Sequence, residues 1–119
     1  MSDNKGFARQ LEDRTKRFAI GILKLASRLP ATAESKVVRY QLVRCGTSIG
    51  ANYREANRSV SKADFRNKIA TCEKEASETQ YWLELVSEAG LLPPEQVEPD
   101  HREWSELLAL FTSIGKTSR

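Results

Sequence analysis

The residues of this sequence that could do chemistry are few, and they do not form a catalytic set. His101 is the single histidine, so Ser–His, Cys–His and multi-histidine metal arrangements have at most one imidazole to use. We interpret it as a surface residue in the first turn of the last helix. Glycine-rich phosphate loops and dinucleotide fingerprints are also missing from the sequence. We therefore expect a protein that is not an enzyme, with no cofactor and no metal site.

Cysteine and glutamate residues are the next candidates. Cys45 and Cys72 have neither C-x-x-C spacing nor the density of a disulfide scaffold. We interpret both as reduced core residues, with a disulfide or a reactive thiol as the alternative. Di-metal carboxylate bundles use Glu-x-x-His pairs, which do not occur here, so we assign most glutamates of the third helix to a solvated face. These are Glu73, Glu75, Glu78, Glu84 and Glu88.

A third group of polar residues lies near residue 50. Ser48, Asn52 and Glu55 follow i, i+4, i+7 spacing, which places them on one helical face beside an apolar seam. We predict that they form a structural hydrogen-bond network with Arg44 or Glu78. A ligand site or a subunit contact is the alternative.

Basic residues concentrate just after this segment. Arg54 and Arg58 are one helical turn apart, as are Lys62 and Arg66. Several Lys and Arg side chains together release counterions when they bind a polyanion, so this cluster is a candidate phosphate-contacting patch. A solvated surface with ion pairs is the alternative.

The composition and the charge distribution limit the function classes. The chain has 119 residues with a formal net charge of +3, which suits one globular domain over residues 1–119. Positions 1–74 hold 16 basic and 7 acidic residues, whereas positions 75–119 hold 3 and 9. This asymmetry fits either complementary faces in self-association or a basic surface for a polyanion. No signal sequence or apolar span is present, so we expect no membrane partner and a cytoplasmic location.

Hydrophobic periodicity predicts the elements that must position these residues. Apolar side chains recur at helical spacing in four segments, at about residues 7–29, 33–57, 62–89 and 98–115. The third is the most regular, because its apolar residues from Phe65 to Val86 follow an unbroken four-three rhythm. Short connections between such stripes predict an all-α, antiparallel up-down four-helix bundle.

Local signals define the ends of these helices. Pro30 stops the first helix, Thr32 caps the second, Ser61 opens a capping box for the third and Gly90 ends it. The fourth helix starts at a residue between Pro94 and Asp100, because Pro99 is tolerated in a first turn but would break a helix interior. Gly46 and Gly50 lie inside the second helix, each at a cost of about 1 kcal/mol in helix propensity. We predict a continuous helix in which a closely packed neighbour compensates for this cost; a break near these glycines is the alternative.

A family pattern covers nearly the whole chain. The run QLVRCGTSIGANYREANRSVSKADFRNKIATCEKEASETQYWLELV, at residues 41–86, closely resembles the four helix bundle protein family that includes the 23S ribosomal RNA intervening-sequence proteins. Family members often have Pro where this chain has Gly50 and Gly where it has Ala56. The residues that carry the resemblance are Gln41-Leu42, Arg44, Ser48-Ile49, Asn52, Glu55, Phe65, Glu78, Trp82-Leu83, Leu29-Pro30 and Gly90-Leu91.

The resemblance implies an assembly and a partner. By this resemblance, family members are small helical bundles that form closed homopentameric rings. The accessory variability determinant proteins of diversity-generating retroelements resemble them in fold and form a basic pentamer that engages nucleic acid. It follows as an expectation that this chain is a homo-oligomer, a cyclic pentamer, that binds structured RNA or another nucleic acid through Arg54, Arg58, Lys62 and Arg66. The alternative is a protein-interaction scaffold or accessory subunit with a protein partner and no nucleic-acid role.

Overall fold

The computed structural model describes residues 3–118, and these residues form four α-helices. No strand occurs within that part of the chain, so the prediction of an all-α, four-helix architecture is confirmed. No helix among the described residues is long and apolar enough to cross a membrane. The helices are α1 (Asp3–Ser27), α2 (Ala33–Ala56), α3 (Lys62–Glu88) and α4 (Pro94–Thr117).

Neighbouring helices run antiparallel, and the fourth packs against the first. The paired residues show the direction, because Arg44 meets Glu78 while Glu55, further along α2, meets Lys68 at the start of α3. Across the seam between α1 and α4, the Arg14 guanidinium pairs with Glu103 at 2.7 Å. Over the described residues, the backbones of the diagonal pairs α1–α3 and α2–α4 do not approach each other closely. The bundle is elongated, with extents of 47 × 22 × 19 Å.

The predicted capping residues occupy the predicted positions. The side-chain hydroxyl of Thr32 accepts a hydrogen bond from the backbone N–H of Ser35 at 3.1 Å. The hydroxyl of Ser61 does the same for Asp64 at 3.0 Å. Each of these bonds satisfies one N–H group that a helix start leaves without a partner. Gly90 follows α3 with a φ of 72°, the left-handed conformation that glycine adopts at little cost.

Two helices differ from their predicted ranges. α1 begins at Asp3 and ends at Ser27 rather than spanning residues 7–29. It ends early because the N–H groups of Arg28 and Leu29 bond three residues back, to Leu25 and Ala26, in a tighter turn. α4 begins at Pro94, the earliest of the expected starts, and Pro99 lies inside the helix rather than in its first turn. Pro99 lacks an N–H group, so one intrahelical bond is lost. Burial of Val97, which is 3% exposed, accounts for the earlier start.

α2 is continuous through both of its glycines, as predicted, and α1 is the close neighbour. A Cβ atom built on Gly46 would lie 3.0 Å from two side-chain carbons of Ile22. At Gly50 it would lie 2.9 Å from the hydroxyl of Thr15. The absent side chains therefore let α1 and α2 approach closely, which offsets the cost in helix propensity.

The apolar stripes meet in one core. In α3 the predicted seam is buried from Ile69 to Val86, although Phe65 at its start is only partly buried. Cys45 and Cys72 are both free and buried, which confirms their assignment as reduced core residues. The indole N–H of Trp104 crosses the core to donate to the backbone carbonyl of Ala76 at 2.6 Å. This bond ties α4 to the middle of α3.

Candidate functional site

The four predicted basic residues lie at one end of the bundle. Arg54 stands in the last turn of α2, and Arg58 lies in the turn that leads to α3. Lys62 and Arg66 occupy the first two turns of α3. All four residues are exposed. We call Arg54, Arg58, Lys62 and Arg66 the basic end.

The basic end differs from its surroundings in how its charges are paired. Within residues 3–118, none of its four side chains forms a salt bridge. One side chain has a hydrogen-bond partner, since Arg66 donates from Nη1 to the backbone carbonyl of Ser118 at 3.2 Å. By contrast, the neighbouring Lys68 pairs with Glu55 at 2.8 Å. The basic end therefore keeps positive charge directed towards solvent.

A groove lies beside the basic end, between the α2–α3 turn and the end of α4. Its volume is about 620 Å³, and Lys62 and Arg66 are among its lining residues, whereas Arg54 and Arg58 are not. Val60 projects from its edge with 95% of its surface exposed. The groove thus combines two cationic side chains with apolar surface. Its other lining residues are Ala56, Asn57, Ser59, Ser61, Phe65, Thr117 and Ser118.

The predicted polar network divides into separate interactions. Arg44 lies between α2 and α3, where Nη2 pairs with Glu78 at 2.6 Å. Ser48 donates to the backbone carbonyl of Arg44 at 2.6 Å, and Asn52 donates to that of Ser48 at 2.9 Å. Glu55 pairs instead with Lys68. Ser48 and Asn52 therefore bond to their own helix rather than across the seam.

Glu75 also lies beside Arg44, a contact that the sequence did not reveal. Its side chain is only 14% exposed, and Oε1 lies 3.6 Å from Nη1 of Arg44, too far for a hydrogen bond. Burial raises the pKa of this carboxyl, the nearby Glu78 charge raises it further, and Arg44 opposes both effects. Glu75 is therefore an exception to the prediction that most α3 glutamates belong to a solvated face.

Arg39 is a second residue that the sequence pattern did not reveal. From α2 its guanidinium donates to the carbonyls of Ala26, Leu29 and Pro30 at 3.2, 3.1 and 3.3 Å. Ala26 lies in the last turn of α1, and Leu29 and Pro30 follow the end of the helix, a region where carbonyls have no partner in the regular helical ladder. No local sequence signal links an arginine on one helix to the end of the preceding one.

His101 and Cys72 are the other candidate residues that the sequence offered. His101 lies in the third turn of α4, half-buried, with its ring centroid 5.0 Å from that of Trp104. The predicted first-turn surface position is therefore wrong, because α4 starts earlier. Burial raises the pKa of the Cys72 thiol to about 12, which keeps it protonated and unreactive near neutral pH. Among the described residues, no three His, Cys, Asp or Glu side chains are grouped to hold a metal ion.

These features define an antiparallel four-helix bundle with an exposed basic end. A family model for the 23S rRNA-intervening sequence protein matches residues 10–113, and the chain belongs to this family. It is also similar to a crystal structure of a protein of unknown function from the S23 ribosomal protein family of Bacteroides thetaiotaomicron VPI-5482. The two chains share 40% sequence identity and a TM-score of 0.83, over 89% of this chain and 98% of that one. No curated protein matches this chain.

Proposed function

We propose that this chain is a non-enzymatic, cytoplasmic, homo-oligomeric protein that binds structured RNA through its basic end. The observation that carries the proposal is the exposure of Arg54, Arg58, Lys62 and Arg66 together, without a carboxylate partner in the described part of the chain. Such side chains gain binding free energy by releasing the counterions of a polyanion. The family description, which refers to 23S rRNA, supports RNA as the polyanion.

Assembly is the second part of the proposal. The basic end of one bundle contributes four cationic side chains, a small number for stable binding at physiological salt. A closed ring, for which we propose five copies on the basis of the family resemblance, would present this set repeatedly on one face. Repetition raises the effective concentration of each additional contact. Exposed apolar side chains along the bundle, including Val37, Tyr40 and Tyr81, are available for contacts between copies.

The decisive experiment is a salt series of RNA affinity. A structured RNA probe is titrated with the native protein between about 50 and 200 mM salt, the range over which phosphate-binding proteins lose most affinity. The logarithm of the affinity is expected to fall linearly with the logarithm of the salt concentration. A protein that binds no RNA at the lowest salt, or binds with no salt dependence, would rule out the nucleic-acid role.

Charge removal then locates the RNA-binding surface. The double variant Arg54→Gln/Arg58→Gln is expected to flatten the salt slope by about 0.7 to 0.9 for each phosphate that is no longer neutralised. Lys24→Gln/Lys74→Gln is the matched control, because it removes the same charge from exposed positions outside the basic end. An equal decrease of affinity in both variants would show that net charge, rather than this surface, drives binding.

A protein-interaction scaffold is the alternative function. Its supporting observation is the same set of exposed apolar residues, in particular Tyr40 at 66% and Tyr81 at 56% exposure, since exposed tyrosines are enriched in protein interfaces. Purified protein that forms an oligomer, carries no nucleic acid and fails to bind RNA at low salt would favour the scaffold.

A further inference from the structure

Two surfaces near one end of the bundle are complementary in charge and both contain apolar groups. The first is on α2 and is formed by Lys36, Arg39, Tyr40, Val43 and Arg44; we call it the α2 face. Its exposed centre is Tyr40, and its three charged residues are all basic. Tyrosine and arginine are enriched among the residues that contribute most of the binding free energy in protein interfaces.

The second surface is a groove of about 400 Å³ between the end of α3 and the start of α4; we call it the acidic groove. Leu83 and Val97 form part of its floor, and both are buried. Its rim carries four carboxylates and no lysine or arginine. The rim residues are Glu84, Glu88, Glu95 and Glu98.

Part of the charge on each surface is already paired within the bundle, and part is available. Arg44 pairs with Glu78, and Glu98 pairs with Arg102. Lys36, Glu88 and Glu95 are exposed and form no salt bridge within residues 3–118. The α2 face thus keeps an available cation, and the acidic groove keeps two available anions.

We propose that the α2 face of one copy docks into the acidic groove of a second copy of this chain, with Tyr40 entering the groove and Lys36 meeting its carboxylates. This inference rests on the homo-oligomer of the proposed function and identifies the surfaces that form it. A second copy is the occupant favoured by the charges, because the same chain carries both the cationic aromatic surface and the anionic apolar one.

The positions of the two surfaces suit a repeating contact. The first half of α2, the end of α3 and the start of α4 lie at the same end of the antiparallel bundle. When copies lie side by side with parallel axes, the α2 face of one copy and the acidic groove of the next are therefore at the same position along the bundle axis. Because the two surfaces are different patches on one molecule, the contact is heterologous and leaves one of each unfilled in every pair. Such a contact continues until a ring closes or a filament grows.

The test exchanges the charges of Lys36 and Glu88 and measures the mass of the oligomer that each variant forms. Lys36→Glu and Glu88→Lys each place like charges across the contact, and each is expected to raise its dissociation constant about tenfold or more. The combined variant Lys36→Glu/Glu88→Lys restores opposite charges and is expected to recover the native mass. Light scattering after size-exclusion chromatography, over a range of protein concentrations, measures all three.

The substitutions are chosen so that the bundle itself remains folded. Lys36 lies near the start of α2 and Glu88 is the last residue of α3. Glutamate at a helix start and lysine at a helix end both complement the helix dipole. Lys16→Glu is the matched control, because it reverses an exposed charge in the middle of α1, outside both surfaces, and it is expected to keep the native mass. Circular dichroism confirms helicity in every variant.

The possible results separate this contact from the proposed function. An oligomeric native protein whose mass is unchanged by both single substitutions overturns the contact and leaves the proposed assembly intact. A combined variant as weakly associated as the single ones also overturns it, since the two charges then do not face each other. A monomeric native protein overturns both the contact and the proposed assembly. Loss of association that the combined variant restores supports the contact, whether or not the protein binds RNA.

Discussion

Gly50 and Thr15 face each other with no room for a further atom between them. A Cβ on Gly50 would lie 2.9 Å from Oγ1 of Thr15 and 3.3 Å from its carbonyl carbon. The Thr15 hydroxyl is held in place, because it donates to the carbonyls of Leu11 and Glu12 at 2.9 and 3.0 Å. The distance between α1 and α2 is therefore set at this point by the absence of a side chain.

Gly50→Ala is expected to destabilise the protein by about 1–2 kcal/mol. The clash with Thr15 outweighs the gain of roughly 1 kcal/mol in helix propensity. Gly6→Ala is the matched control, because Gly6 lies in α1 and a Cβ atom added there would have nothing within 4 Å; it should gain up to about 1 kcal/mol. Urea denaturation measures both. A Gly50→Ala variant as stable as Gly6→Ala would mean that α1 moves away easily.

Trp104→Phe is expected to cost about 2–3 kcal/mol, because it removes the buried hydrogen bond to Ala76 and part of the indole volume. Trp82→Phe is the control, since Trp82 is only partly buried and its substitution should cost about 1 kcal/mol or less. Denaturation curves recorded by circular dichroism give the loss of unfolding free energy for both variants. Equal losses at the two positions would contradict a special contribution from the Trp104 bond.

Arg44→Met is expected to lower the melting temperature by a few degrees at pH 7, because Glu75 and Glu78 then face each other without a cation. The pKa of Glu75 is already raised, mainly by burial, so its ionised form costs stability above that pKa. Acidification through the pKa removes this cost. The difference from the native protein should therefore shrink between pH 7 and pH 4.

The control for this prediction is Arg102→Met. Arg102 pairs with Glu98 within α4, but both side chains are largely exposed, and surface pairs contribute little to stability. The melting temperature of the Arg102→Met variant should match that of the native protein at both pH 7 and pH 4. A deficit in Arg44→Met that is the same at pH 4 as at pH 7 would show that poorer packing, rather than carboxylate repulsion, is the cause.

The stability of the native protein should fall as the pH rises above 9. Burial raises the pKa of Cys72 from its ordinary 9.0 to about 12. Between these values the unfolded thiol loses its proton while the folded one keeps it, so alkali favours unfolding. Cys72→Ser, which cannot ionise in this range, should show a slope shallower by up to about 1.4 kcal/mol per pH unit. Denaturation midpoints measured from pH 8 to pH 11 test this, and identical slopes would refute it.

The number of helices and their caps could be predicted because they depend on local information. The spacing of apolar residues, the hydroxyls of Thr32 and Ser61, and the conformation of Gly90 all act within one or two turns. The compensation for Gly46 and Gly50 was also predictable, because an uncompensated glycine inside a helix is costly. The sequence could not show that α1 would be the helix that packs there.

The start of α4 and the polar contacts were harder to predict, since they depend on tertiary packing. Pro94 and Pro99 are both compatible with a helix start, and the burial of Val97 selects the earlier one. The isolation of Glu75 from solvent and the contact of Arg39 with the end of α1 arise only when separate helices meet. The sequence shows the basic end as a run of charges, but it could not show that these charges have no carboxylate partner among the residues that the structure describes.

The order in which the helices pack bears on how fast the bundle folds. Apart from the seam between α1 and α4, every close backbone approach joins consecutive helices. Chains dominated by such local contacts collapse quickly, within about microseconds to milliseconds, because little loop entropy is lost at each step. The α1–α4 seam joins the two ends of the chain and has the largest loop to close. We therefore expect it to form last, and amide exchange should detect its opening before that of the α2–α3 pair.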